Sequence, residues 1–175
     1  GIRRQRQMCI RDRVMTEEDE KRPTVMVSGG FDPVHVGHIR MIMEASQYGD
    51  VIVIANTDAW LHRKKGFVFM EWERRAEILN ALKGVVLVDS VDDNDGTVCE
   101  AIVRLKPTYF ANGGDRGRTN TPEQTVCEQL GVKLLWGIGG DYKADASSDL
   151  VDRFRKHRGS DHEAENNIGN KHSGR

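Results

Sequence analysis

The chain has 175 residues, 38% hydrophobic and 30% charged, with a formal net charge of -1. That length suits one domain with a tail at each end, and no apolar run approaches the roughly 18 residues that span a bilayer. The near-neutral balance gives no global basic field for nucleic acid or anionic lipid, so neither a nucleic-acid nor a membrane partner is expected.

Residues 1–22 show neither a helical nor a strand period and are expected to be a disordered end rather than a phosphate-binding arm. Within them, Met8-Cys9-Ile10-Arg11-Asp12-Arg13 looks like translated transposon-end sequence from library preparation, on which reading the native chain starts at Met15. Residues 23–157 are expected to form the domain, and 158–175, polar and poor in large apolar residues, a disordered tail. Strands are predicted at Thr24–Ser28, Val51–Asn56, Val85–Asp89, Tyr109–Asn112 and Lys133–Gly137, each short, mostly apolar and bounded by turn residues. Helices are predicted at 36–48, 71–83, 97–105, 121–130 and 147–157. The first should face inward with Ile39, Ile42, Met43 and Ser46, and the second with Trp72, Arg75, Ala76, Leu79 and Leu82. The third should use Val98, Ile102 and Leu105. This alternation predicts an α/β fold: a Rossmann-like, doubly wound, five-stranded parallel sheet with helices on both faces. Ligands of such sheets sit beyond the strand C-termini where strand order reverses.

Glycine pairs follow several strands (Gly29-Gly30, Gly113-Gly114, Gly139-Gly140), as expected where backbone approaches a ligand. The three cysteines lack a CxxC spacing and suit a reducing compartment, so a cytoplasmic setting is expected; Cys99 and Cys127 read as packing residues. The acidic run Asp89–Asp95 fails as a calcium loop, because Val91 and Ile102 stand where Asp and Glu are needed; a solvated loop is expected.

The chemistry concentrates after the first strand, in Gly29-Gly30-Phe31-Asp32-Pro33-Val34-His35-Val36-Gly37-His38. Histidines three apart in a first helical turn share a side, where unbonded N–H groups and the helix dipole attract anions. Gly37 removes a side chain between them, and no third ligand makes the pair a zinc site. Arg63-Lys64-Lys65-Gly66 reads as a basic loop able to reach phosphate after a short segment, Asp58–His62, and Phe67–Met70 as a strand-like or packed segment closing over the site. Arg75 falls on the apolar side of its helix, where a desolvated guanidinium requires a carboxylate or a phosphate.

GGFDPVHVGH resembles the HxGH signature of the nucleotidyltransferase superfamily, in its cytidylyltransferase-like group. The similarity runs from about Thr24 to Arg155. It takes in Asn56-Thr57-Asp58, Arg63-Lys64-Lys65-Gly66, Glu73–Leu79, Asn112-Gly113-Gly114-Asp115 and Ser147-Ser148. The resemblance implies transfer of a nucleotidyl group from CTP or ATP to a phosphate monoester, with release of pyrophosphate. It implies His35, His38, Lys65 and Arg75 as catalytic residues. Gly29, Gly30, Phe31, Gly37, Asn112, Asp115, Ser147 and Ser148 would bind the nucleotide, and Lys64 and Arg116 the acceptor. Mg²⁺ would be held mainly by substrate phosphates, no paired protein carboxylates being visible as its ligands, and a homodimer is the common assembly. The Asn-Gly-Gly-Asp segment resembles sugar- or polyol-phosphate enzymes, of the glycerol-3-phosphate cytidylyltransferase or heptose-1-phosphate adenylyltransferase type, more than NAD- or coenzyme-A-type adenylyltransferases. Ala146 occupies the first of three expected hydroxyl positions, and a non-catalytic nucleotide-binding module is the alternative it leaves open.

Overall fold

In the computed structural model, which describes residues 22–113, 121–140 and 149–157, side chains along the strands alternate between two apolar layers. Strand β1 (Thr24–Gly29) sends Val25 and Val27 to one layer and Met26 to the other. Strand β2 (Asp50–Ala55) does the same with Val51, Val53 and Ala55 against Ile52 and Ile54. This is why both runs read as continuously apolar: a strand buried on both faces has no polar side. Strands β3 (Val85–Asp89), β4 (Tyr109–Gly113) and β5 (Lys133–Ile138) complete a parallel sheet in the order β3-β2-β1-β4-β5. The chain winds from β1 to one side and returns to the other, so strand order reverses between β1 and β4. A crevice is expected there, at the strand C-termini.

Helices α1 (Val36–Ala45) and α3 (Trp72–Asn80) cover the first layer through Ile42, Ala45, Ala76 and Leu79. Helices α4 (Cys99–Leu105) and α5 (Pro122–Leu130) cover the second through Ala101, Ile102 and Cys127. The predicted architecture is the observed one, and residues 149–157 are also helical. Cys127 is fully buried, and that burial, its largest influence, pushes its thiol up to about 11.

Three local expectations change. Met43 does not face inward: it is 60% exposed and lines a groove of about 970 Å³ with Leu82, Val86 and Leu87, while Ala45 takes the inner position. The segment around Arg63 is no loop, because helix α2 spans Asp58–Lys65. Thr57 caps its start, its hydroxyl accepting from the Trp60 N–H, and Gly66 ends it in the left-handed conformation at φ 81°. Leu61 is its one buried residue, so no apolar period marked it. Finally, of the two readings of Phe67–Met70 the strand-like one fails: the segment is irregular and partly buried, with Phe69 exposed.

Candidate active site

The turn leaving β1 carries backbone strain. Phe31 has φ 51°, a left-handed conformation that a bulky residue rarely adopts, yet its ring is buried. Such residues persist only where their surroundings over-determine them, and they gather at functional sites.

Both histidines then close the start of α1. His35 is the N-cap, its Nδ1 accepting from the Gly37 N–H at 3.1 Å; His38 Nδ1 accepts from the His35 N–H at 3.3 Å. An imidazole nitrogen that accepts is unprotonated, so this arrangement assigns the proton of each neutral ring to Nε2. The rings stack with centroids 3.7 Å apart, and Phe31 meets His38 edge-on at 4.8 Å. Burial first, then the His35 and Lys65 charges, pull the His38 pKa down to about 3. His38 is therefore a neutral N–H donor at pH 7, placed at a helix N-terminus where anions are favoured.

Lys65, the last residue of α2, donates from Nζ to the Asp32 carbonyl oxygen at 2.9 Å. Burial lowers its pKa; Asp32 opposes that, and Lys64 and Arg75 add to it. Lys64 turns elsewhere, with Nζ 4.5 Å from the Trp60 ring centroid.

Arg75 is fully buried, and of the two partners expected for it the carboxylate is present. Nη2 donates to Asp58 Oδ1 at 2.6 Å, Nη1 to the Gly30 and Asn56 carbonyls at 2.6 and 2.9 Å, and Nε to the Met70 carbonyl at 2.9 Å. The guanidinium thus ties the ends of β1 and β2 to the segment before α3. Asp58 Oδ2 also accepts the Trp72 N–H, satisfying a donor that Glu71, the α3 N-cap, leaves without a side-chain partner.

Two buried carboxylates were not singled out from sequence. Asp32 accepts the Phe69 and Met70 N–H groups at 2.8 and 2.6 Å. Asp93 corrects the expectation of a wholly solvated acidic loop: it is buried, and it accepts from Asn56 Nδ2, the Thr57 N–H and the Thr57 hydroxyl, with Arg63 beside it. Nothing in the acidic run separates Asp93 from its neighbours. Asp32 lay inside the motif, where a carboxylate between Phe31 and Pro33 was itself the signal.

On the other side of the crevice, Asn112 is buried near the end of β4. It lies where the pairing with β5 shifts register, an irregularity that re-aims a side chain. The glycines at these rims make room for the protein itself. A Cβ on Gly30 would press on Leu61 Cδ2 at 3.0 Å, and one on Gly139 would meet the Met41 backbone at 3.1 Å. Glu44 Oε2 accepts the Gly139 N–H at 2.7 Å, fixing the turn after β5 to α1. Asp115, Arg116, Ser147 and Ser148 lie outside the described residues. The helix at 149–157 brings the Arg155 guanidinium 5.5 Å from the Phe67 ring centroid, two residues before the Phe69 amide that Asp32 holds.

Among the described residues no group of three or more His, Cys, Asp or Glu could hold a metal ion. Asp32, Asp58 and Asp93 are engaged by N–H, hydroxyl or guanidinium donors.

A five-stranded parallel sheet with two stacked imidazoles and a lysine gathered where the chain leaves β1 defines a Rossmann-like α/β protein. The cytidylyltransferase-like family model matches residues 26–160, and the chain belongs to that family. It is 29% identical over 152 residues to the bifunctional protein HldE of Syntrophotalea carbinolica, covering 84% of this chain and 31% of that protein. It is 34% identical over 114 residues to HldE of Gluconobacter oxydans, covering 63% of this chain and 23% of that protein. The chain thus spans less than a third of the length of these relatives. The crystal structure of a lipopolysaccharide core biosynthesis protein from Thermoplasma volcanium superposes with a TM-score of 0.56 at 22% identity, over 66% of this chain and 93% of that one, and shares the fold.

Proposed function

We propose that the chain transfers CMP or AMP from CTP or ATP to a sugar or polyol phosphate and releases pyrophosphate. The stacked His35–His38 pair at the α1 N-terminus, with the Lys65 ammonium on the Asp32 carbonyl and near enough for its charge to act on His38, is the observation that supports this reading most.

In that reaction an oxygen of the acceptor phosphate forms a bond to the α-phosphorus, and the bond from that phosphorus to the bridging oxygen breaks. The electron pair leaves with pyrophosphate. Charge grows on the α-phosphate oxygens and on the leaving group, so positioning and preorganised donors supply most of the rate. His38, held neutral and oriented by the His35 N–H, offers an Nε2–H that needs no reorganisation, and His35 offers the same beside it. Lys65 is a compact cation on a flexible stem, suited to follow charge from the α-phosphate to the leaving group. Arg75, saturated by protein acceptors, acts by fixing the walls around these groups. Mg²⁺ bound to the triphosphate would neutralise part of its charge. Asn112 would face the nucleotide from β4; Asp115, Ser147 and Ser148 would complete the nucleotide site, and Lys64 and Arg116 would serve the acceptor. A homodimer belongs to the same proposal.

The similarity to HldE leaves both base and acceptor to experiment. Purified chain with Mg²⁺ and either CTP or ATP, offered a panel of phosphate monoesters, should release pyrophosphate with at least one pair. Release with none would defeat the reading, and the pair that reacts names base and acceptor together.

A further inference from the structure

Asp32 is fully buried between a strained residue and a proline, and it uses three acceptor atoms at once. One carboxylate oxygen accepts the Phe69 N–H and the other the Met70 N–H, while its carbonyl oxygen accepts the Lys65 ammonium. These donors bracket residues 65–70, which include the Gly66 turn and no strand or helix after it. Without the Asp32 carboxylate, the two amides would be orphans in a partly buried segment, while the ammonium would keep only a backbone carbonyl on a loosened seam.

We propose that Asp32 is the positioning residue for Lys65: its carboxylate pins the 66–70 segment over the β1 exit, and its carbonyl holds the ammonium at the entrance of the phosphate site until an anion takes it. This rests on the phosphoryl chemistry proposed above. Three features favour positioning over direct catalysis. Both carboxylate oxygens are occupied by backbone donors, so neither is offered to a substrate. Arg75 binds the carbonyls of Gly30 and Met70, on either side of the same seam, so the clamp is fixed independently from below. The bond to Lys65 comes from the backbone carbonyl, so side-chain changes at residue 32 reach the ammonium through the geometry of the seam and the loss of a neighbouring charge.

Asparagine at this position keeps the shape but turns an N–H group toward one of the two amides. Asp32→Asn should therefore free at least one of them and loosen the seam. In the full-length chain, amide hydrogen exchange at Phe69 and Met70 should be protected in the wild type and faster in Asp32→Asn, with the melting temperature recording whether the fold survives. In pyrophosphate release, Asp32→Asn should cost on the order of 10- to 100-fold in kcat with a smaller change in the KM of the triphosphate. In a Lys65→Ala background the same substitution should cost little, because the residue it positions is gone. A merely structural role predicts the same fold-loss in both backgrounds and would overturn the proposal. So would wild-type Phe69 and Met70 amides that exchange like free chain, a result that needs no variant to fold. If no triphosphate and monoester pair reacts, the proposed function fails and the positioning of Lys65 for it falls too, while the exchange data still decide whether the clamp exists.

Discussion

The two helical layers of this sheet are built from the same apolar alternation, yet they do different work. The α4/α5 layer packs Met26, Ile52, Ile54, Ile102 and Phe110, and the buried charge beside it, Asp93, sits in the loop between Val91 and Val98 and turns to Asn56 and Thr57 at the end of β2. The α1/α3 layer packs a similar set, and at its upper edge places a fully buried arginine, a buried aspartate and two stacked imidazoles. A buried guanidinium is a poor source of stability and a good source of geometry: four acceptors at fixed angles tie three backbone segments to one another. The contrast is that one layer supplies stability and the other trades some of it for a defined site.

The sharpest way to break that contrast is Arg75→Met. The methionine fills part of the volume but leaves the Gly30, Asn56 and Met70 carbonyls without a donor; Asp58, with a side chain 36% exposed, can rehydrate. Stranded carbonyls cost about 1–3 kcal/mol each, so a loss of about 4 kcal/mol in denaturant unfolding is expected, with pyrophosphate release also lost. Arg75→Lys should recover little of either, since a point charge cannot span four acceptors. Ile102→Ala is the control in the opposite layer. It should lose about 3 kcal/mol of stability, because a cavity opens in a dry core. Below the melting transition its kcat should stay near wild type. If Ile102→Ala damages kcat as Arg75→Met does, the division of labour between the layers is wrong.

His38→Ala probes the site without the frame. Loss of one preorganised donor should lower kcat by about 100-fold or more, roughly 3 kcal/mol, while melting changes less. The same residue gives a pH signature. Its folded pKa, about 3, lies below the 6.5 of an unperturbed histidine. Between those values the unfolded chain binds a proton that the folded chain refuses, so His38 stabilises the fold less as pH falls from about 6.5 toward 3. The slope contributed is at most about 1.4 kcal/mol per pH unit. Urea titrations across that window should show the slope, and His38→Ala should flatten it; an unchanged acid profile would mean His38 is not buried neutral. For the same reason kcat should show no limb near pH 6.5 from this residue.

The division between layers was only half legible in the sequence. Five strands and five of the helices were readable because apolar period and turn residues mark them. The HxGH turn was readable because two histidines around a glycine after a strand have few structural explanations. Helix α2 was not, since one buried leucine makes no stripe and its stop signal, Gly66, also reads as a loop. Met43 was misplaced because a helical stripe fixes a face but not how far the neighbouring layer extends. Asp93 could not be told from Asp92 or Asp95, because what distinguishes it is a partner, Thr57, 36 residues away. Arg75 stood out by position alone, but which acceptor it meets is a tertiary fact.

The smallest expected effect lies on the outside of the α4 layer. Arg104 pairs with Glu100 one turn back and with Asp89 at the end of β3, both at 2.7 Å, and donates to the Ser90 carbonyl. The geometry matches that of Arg75, a guanidinium joining a helix to the end of a strand. The difference is water: these side chains are about 40% exposed, so their charges are screened and their partners rehydrate when the arginine goes. Arg104→Ala should cost about 0.5 kcal/mol in urea unfolding, less at 1 M salt, and nothing in kcat. Measured beside Arg75→Met, it isolates burial as the variable, since near-identical contact distances would then differ severalfold in cost. A loss at Arg104 comparable to that at Arg75 would show that the number of contacts, rather than their desolvation, sets the penalty.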